Sequence, residues 1–126
     1  MVQIQTKVIV ADNSGARFAR CIHIYAKNRI AKINDELLVA VMECFSRRKK
    51  RKKMRKGQLY RAILLRSKFN YCQLKPGPFR FKFHTNCIVL INKRLRPVGS
   101  KIKGPVLQDL RLKTYYKIIQ LAPLII

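Results

Sequence analysis

Acid is the scarcest charge in this chain. Asp12, Asp35, Glu36, Glu43 and Asp109 are all of it, against 29 Lys and Arg, which leaves a formal net charge of +24. So few carboxylates give an enzyme little to work with. Asp35 and Glu36 are neighbours, and neighbours along a strand point to opposite faces. Asp12, close to Ser14, suits a turn network better than a nucleophile with its base. The two histidines, His23 and His84, have no carboxylate beside them in the sequence. A Gly-rich phosphate loop of the Walker type is also missing. The expectation is a protein that is not an enzyme.

Other absences narrow the class further. Cys21, Cys44, Cys72 and Cys87 are widely spaced and form no Cys-x-x-Cys pair, which argues against a zinc ribbon. An even count would suit two disulfides in a secreted protein, but no signal peptide precedes the first strand. Reduced, core or half-buried thiols are therefore expected. Cys21 and His23 would share one face of a strand, where a packed pair is expected and not a metal site. Neither metal nor cofactor is expected. The longest apolar runs, such as residues 37–42, fall far short of the roughly 18 residues that span a bilayer. Nor is there a long basic amphipathic helix to lie on an anionic membrane, so no membrane partner is expected.

What is present is apolar residue and positive charge. The 126 residues, 48% of them hydrophobic, fit one folded domain spanning 1–126 with a modest core. Self-repulsion at this charge disfavours a compact chain standing alone. A polyanion would relieve it, and nucleic acid is the default candidate because neutralising phosphates releases condensed counterions. The charge peaks in "SRRKKRKKMRKG", residues 46–57, where nine of the ten positions from Arg47 to Lys56 are Lys or Arg. A nuclear-import signal or a solvated loop would explain that run alone. Neither explains Arg17, Arg20, Lys27, Arg29, Arg61, Arg66, Lys68, Lys93, Arg94, Arg96, Lys101 and Lys103, which recur along the chain. A domain embedded in RNA does.

The apolar pattern is mostly that of strands. Val2, Ile4, Val8 and Val10 alternate with polar residues, and "ADNSGA" (11–16) is a dense turn cluster. A second strand follows, with Phe18, Ile22 and Ile24 inward. Residues 36–45 are apolar on both faces, which predicts a central strand covered on both sides. The basic run is then an internal loop pinned at both ends by core strands. Gly57 closes it and another strand begins. Residues 69–84 read as a hairpin turning at "KPGPF", with Phe79, Phe81 and Phe83 on one packed face. Bases could also stack on such a face. Residues 86–92 read as a short buried strand. Pro105 suits the start of a short helix, and a last helical turn or two ends before Pro123, which makes 105–122 a helical region. Strands at this spacing suggest a small barrel or sandwich.

At "ADNSGA" a family likeness begins. "RKGQLYRAILLRSK", "NCIVLIN", "GSKIKGPV", "DLR" and "KIIQLAP" follow in order, and the set resembles the universal large-subunit ribosomal protein number fourteen, bacterial type, from about Val2 to Pro123. The resemblance implies a mainly β fold: a small closed five-stranded barrel, a projecting β-ribbon at 69–84 and two short C-terminal helices. It implies a structural constituent of the large subunit that binds large-subunit rRNA directly and contributes to bridges with the small subunit. Arg17, Arg20, Arg47, Arg48, Lys49, Lys50, Arg51, Lys52, Lys53, Arg55, Lys56, Arg66, Lys68, Arg94 and Lys101 are then the candidate rRNA contacts. Arg47, Arg48, Lys49, Lys113 and Lys117 are the candidates facing small-subunit rRNA. Implied protein partners are large-subunit protein number nineteen and the ribosomal silencing factor, the latter near Gly99 to Ile102. Compared with the family pattern, the basic loop is longer and richer in charge, "KPGP" replaces an Asp-Gly turn, and "GSKIK" stands where a Thr-Arg pair is usual. Such divergence, with many Lys, Ile, Asn, Phe and Tyr residues and no visible targeting extension, suggests the mitochondrial matrix and an organelle-encoded gene. Plastid stroma and bacterial cytoplasm are the alternatives. A free single-strand-binding module and a cationic membrane-active protein are the competing function classes.

Overall fold

The computed structural model describes residues 2–45, 54–69, 71–72, 80–112 and 115–126. In chain order the elements are β1 (Lys7–Val10), β2 (Ala16–Ile24), β3 (Glu36–Cys44), β4 (Leu59–Arg66), β5 (Tyr71–Cys72), β6 (Arg80–Phe81), β7 (Cys87–Ile91) and β8 (Pro105–Val106). A 3-10 turn (Gln108–Leu112), helix α1 (Tyr116–Leu121) and β9 (Leu124–Ile125) complete it. Five strands close into a barrel in the order β1-β2-β3-β4-β7. All neighbours are antiparallel except β1 and β7, which close it in parallel through Ile9 opposite Cys87 and Val10 opposite Ile88. β5 and β6 pair with each other as a separate two-stranded ribbon; the turn expected between them lies outside the described residues.

A five-stranded barrel is narrow, so its interior is filled by side chains alone. Val8, Val10, Leu37, Val39, Val41, Leu64, Ile88 and Leu90 fill it, with the small Ala16, Ala19 and Cys21 where β2 crosses. A second core lies outside β4 and β7. There Ile63, Leu65, Val89 and Ile91 are covered by Ile102, Val106, Leu110, Ile118 and Ile119 from the C-terminal segments. β7 is consequently buried at every position. The strands covered on both sides are therefore β4 and β7, not β3. In β3, Leu37, Val39 and Val41 are buried, while Leu38, Ala40 and Met42 are only half-buried.

Three predicted inward residues face out. Ile4 is half exposed because the chain turns at Gln5 (φ 72°), whose N–H donates to the Cys21 carbonyl at 2.7 Å. Phe18 and Ile22 are displaced by β2, whose register against β3 shifts between Ala16 and Phe18, Phe18 and Ala19, and Cys21 and His23. Each bulge inserts a residue and swaps the faces beyond it. The last of these also separates Cys21, which is buried, from His23, which is exposed, so the two do not share a face. Cys21, Cys44 and Cys87 are free thiols, buried or half-buried.

The two short helical segments expected in the C-terminal region are the 3-10 turn and α1, but the region opens as a strand. Pro105 does not start a helix but lies in β8, in parallel with Leu124 of β9. The ring removes a donor that a strand at a sheet edge can spare. The Ile126 N–H then donates to the Val106 carbonyl at 2.9 Å and holds the last residues down.

Candidate nucleic-acid interface

Strand direction sorts the loops. β1 and β7 end at the same end of the barrel, β2 begins there, β3 ends there and β4 begins there. One rim therefore carries "ADNSG", the two described ends of the basic segment (Phe45 and residues 54–57) and the residues after Ile91. The basic segment is fixed on both sides. The Phe45 N–H donates to the Gly15 carbonyl at 2.8 Å as the chain leaves β3. On return, Met54 is buried in the barrel core, and the Gly57 N–H donates to the Val41 carbonyl at 2.8 Å. Gln58 braces the stem, its Oε1 accepting from the Arg55 N–H at 3.0 Å and the Tyr60 hydroxyl at 3.2 Å.

The "ADNSG" turn grips a second loop. Asp12 is buried, and its carboxylate accepts from the N–H of Ser14 at 2.9 Å and of Leu90 at 3.1 Å. Burial pushes this carboxyl above its ordinary value, against the pull of those hydrogen bonds. Asn13 takes hold of residues 100–101. Its Oδ1 accepts from the Ser100 and Lys101 N–H groups at 2.7 and 3.1 Å, and its Nδ2 donates to Ser100 Oγ at 2.9 Å. Gly99 makes this possible, since a Cβ there would lie 2.7 Å from Asn13 Oδ1 and 2.9 Å from Asp12 Cβ. Further on, Arg66 Nη2 donates to the Lys103 carbonyl at 2.7 Å, and a Cβ on Gly104 would sit 2.0 Å from Nη1.

Of the predicted contacts, Arg17, Arg20, Arg55, Lys56, Lys68, Arg94, Lys101 and Lys117 are exposed, whereas Arg66 is half-buried and tied to the backbone. Arg47 to Lys53 and Lys113 lie outside the described residues. Arg17, Arg55, Lys56 and Arg94 belong to the rim just described. Lys68 belongs to the other end, where its N–H donates to Asn86 Oδ1 at 2.9 Å. Lys117 is also apart from the basic segment. It sits on α1, whose preceding Tyr115 donates its hydroxyl hydrogen to Glu36 at the start of β3. The basic segment leaves from that strand's other end, about 25 Å away at strand rise.

Aromatic rings with cations beside them, one half-buried and two exposed, also mark this surface. Lys7 Nζ stands 4.0 Å from the Phe18 centroid, and Arg17 Cζ is 5.1 Å from it. Arg17 and Lys103 each approach the exposed Phe45 ring to 5.9 Å. Just past the end of β2, the Tyr25 ring lies 5.3 Å from Arg61 of β4 and is met edge-on by His23. Among the described residues no group of three or more His, Cys, Asp or Glu could hold a metal ion.

This is a basic shell on a small barrel, with its most charged loop anchored at one rim. A family model for ribosomal protein L14p/L23e matches residues 1–126. The chain belongs to the L14p/L23e family. A protein of this family is a structural component of the large ribosomal subunit that binds rRNA beside other ribosomal proteins and serves translation. It is of a non-enzymatic kind, and its place is the ribosome. Sequence reasoning missed three features of this L14p/L23e chain. Met54 was visible as the lone apolar residue in a cationic run, which is the signature of an anchor. Gly99 carried a weaker hint, as glycine does wherever side chains crowd the backbone. Phe45 gave no signal, because a ring at a strand end usually packs inward.

Proposed function

We propose that this chain holds to large-subunit rRNA through the basic residues around its barrel, and that the segment from Arg47 to Lys56 reaches across to small-subunit rRNA as part of a bridge. Arg17, Arg20, Lys68, Arg94 and Lys101, which are exposed, serve the first role, while Arg66 holds the Lys103 carbonyl. Arg47, Arg48, Lys49, Lys113 and Lys117 serve the second, as two separate contacts and not one patch. The observation that carries this reading is the double anchoring of the basic segment, by Phe45 on Gly15 and by Met54 in the core. A solvated tail needs neither. Long cationic side chains on a fixed stem meet phosphates without reading bases, so they supply position and attraction.

Finer parts of the proposal follow from the family likeness. A protein of the number nineteen type packs beside the barrel. The exposed Ser100 and Lys101, held to one conformation by Asn13, offer the ribosomal silencing factor a docking site. The departures in the basic loop and in residues 99–103, with the amino-acid bias noted above, favour the mitochondrial ribosome over a plastid or bacterial one.

Replacing residues 47–53 by a short Gly/Ser linker tests the bridge. Met54 must stay, because it belongs to the core. Sedimentation should show near-normal incorporation into large subunits. Light scattering should show weakened subunit joining, most clearly at low Mg²⁺ or raised salt. If the variant never enters the large subunit, the segment is an anchor to its own rRNA and the bridge assignment is wrong.

A further inference from the structure

Two phenylalanines stand where the basic segment leaves the barrel, and their surroundings differ. Phe18 is half-buried and capped: Lys7 lies over it at 4.0 Å and is itself held by Glu43 at 3.5 Å. Phe45 is 52% exposed. Its two cations, Arg17 and Lys103, stand 5.9 Å from the centroid, at the outer limit of a cation–π contact. Neither closes on the ring as Lys7 does on Phe18. The backbone on every side is fixed. The Phe45 N–H is bonded to Gly15, the Lys103 N–H donates to the Ala11 carbonyl at 2.8 Å, and Arg17 sits in the β2 bulge that turns it toward both rings.

We infer that Phe45, Arg17 and Lys103 form a seat for one unpaired nucleotide of the large-subunit rRNA, with the base stacked on the Phe45 ring and its phosphate between the two cations. The inference rests on the rRNA-binding reading and adds the form of RNA bound at this point. A paired base has both faces covered by its neighbours, so only a nucleotide splayed out of a loop, bulge or end can present one to a ring. The cations also select for this occupant. An apolar protein surface would have to desolvate both charges, whereas a nucleotide brings an aromatic face and a phosphate at a spacing that satisfies ring and cations together.

The test uses the full chain with three RNAs about ten nucleotides long: oligoadenylate, its abasic counterpart and an A-form duplex. Binding is followed by fluorescence anisotropy at one salt concentration. Phe45→Leu keeps apolar bulk and removes the π face, and Phe45→Tyr keeps the ring. Because the side chain lies outside both cores, neither change should unfold the barrel. Phe45→Leu should weaken oligoadenylate binding about tenfold, which is ~1.4 kcal/mol, and leave the abasic strand and the duplex unchanged. Phe45→Tyr should match the parent. If Phe45→Leu costs nothing, costs the same on all three RNAs, or is matched by Phe45→Tyr, the seat is overturned while RNA binding stands. If the parent chain binds none of the three, the rRNA-binding reading fails first and the seat with it.

Discussion

Leu64 and Leu59 belong to the same strand, β4, yet one is fully buried inside the barrel and the other is 58% exposed. The same substitution at both sites isolates burial from chemistry. Leu64→Ala removes three carbons from a filled interior. Transfer alone costs about 0.8 kcal/mol per carbon, and the cavity left in a narrow barrel raises the total to ~3–4 kcal/mol. Leu59→Ala should cost under about 1 kcal/mol, because most of that side chain never left water. Typical domains hold only ~5–15 kcal/mol in all, and the +24 charge erodes that further. Urea unfolding followed by circular dichroism, in sulfate to support the free chain, makes the comparison. With a urea slope of ~1–3 kcal/mol per molar, Leu64→Ala should lower the midpoint by about 1–4 M and Leu59→Ala by a fraction of that. Should Leu64→Ala show no folded baseline, Leu64→Val, which loses one carbon, should cost about 1 kcal/mol or a little more. Equal shifts at the two positions would mean that Leu64 is not enclosed where Leu59 is left in water, and the barrel interior as described would be wrong.

Salt and acid probe the charges. If roughly 6–10 phosphates are neutralised, affinity of the free chain for large-subunit rRNA should fall by about three to five decades between about 50 and 200 mM salt, measured by filter binding; a nearly flat response would contradict a phosphate-based contact. Asp12 has its carboxyl raised by burial, so its protonated form suits the fold better than its charged form. That contribution is fully present below the ordinary value of 3.8 and is lost as pH rises through the raised one. The stability of the parent relative to Asp12→Asn should therefore decline as pH rises above the ordinary value of 3.8, as read by paired urea midpoints, and a constant difference would refute the assignment.

The closed barrel was legible because apolar alternation and turn chemistry agree in most of the chain. Val8 and Val10, the run 87–91 and the "ADNSG" turn all lie where their sequence suggests. The failures share one cause: long-range pairing overrode local pattern. Bulges in β2 turned Phe18 and Ile22 outward, and no property of those residues announces a register shift. The covering of β4 and β7 was equally hidden. It depends on Val106, Leu110 and Ile118 folding back from a segment whose own pattern gave only short helices. The cationic surface was legible as composition and not as arrangement. That Arg66 is spent on the Lys103 carbonyl, while Arg17 is left beside an exposed ring, follows from loop positions that only the closed barrel sets.

The scarcity of acid has a structural counterpart. Asp12 is buried on backbone N–H groups, and Asp109 is buried as well. Asp35 accepts from the Lys32 N–H at 2.7 Å, Glu36 accepts from Tyr115, and Glu43 holds Lys7 over Phe18. The Lys7–Glu43 pair is about half exposed on both sides, so as an ion pair it adds little stability; its consequence is where Lys7 stands. Asp12, Asp35, Glu36 and Glu43 each fix a turn, a strand end or a side chain, and five acids against 29 cations leave most of the positive field uncancelled. A chain arranged this way is electrostatically incomplete when free. Its barrel, closed by β1 and β7 and weighted by two apolar cores, holds the cations in place against their mutual repulsion. The counter-charge that would relax that repulsion is supplied by phosphate, so binding RNA and stabilising the fold are one electrostatic event.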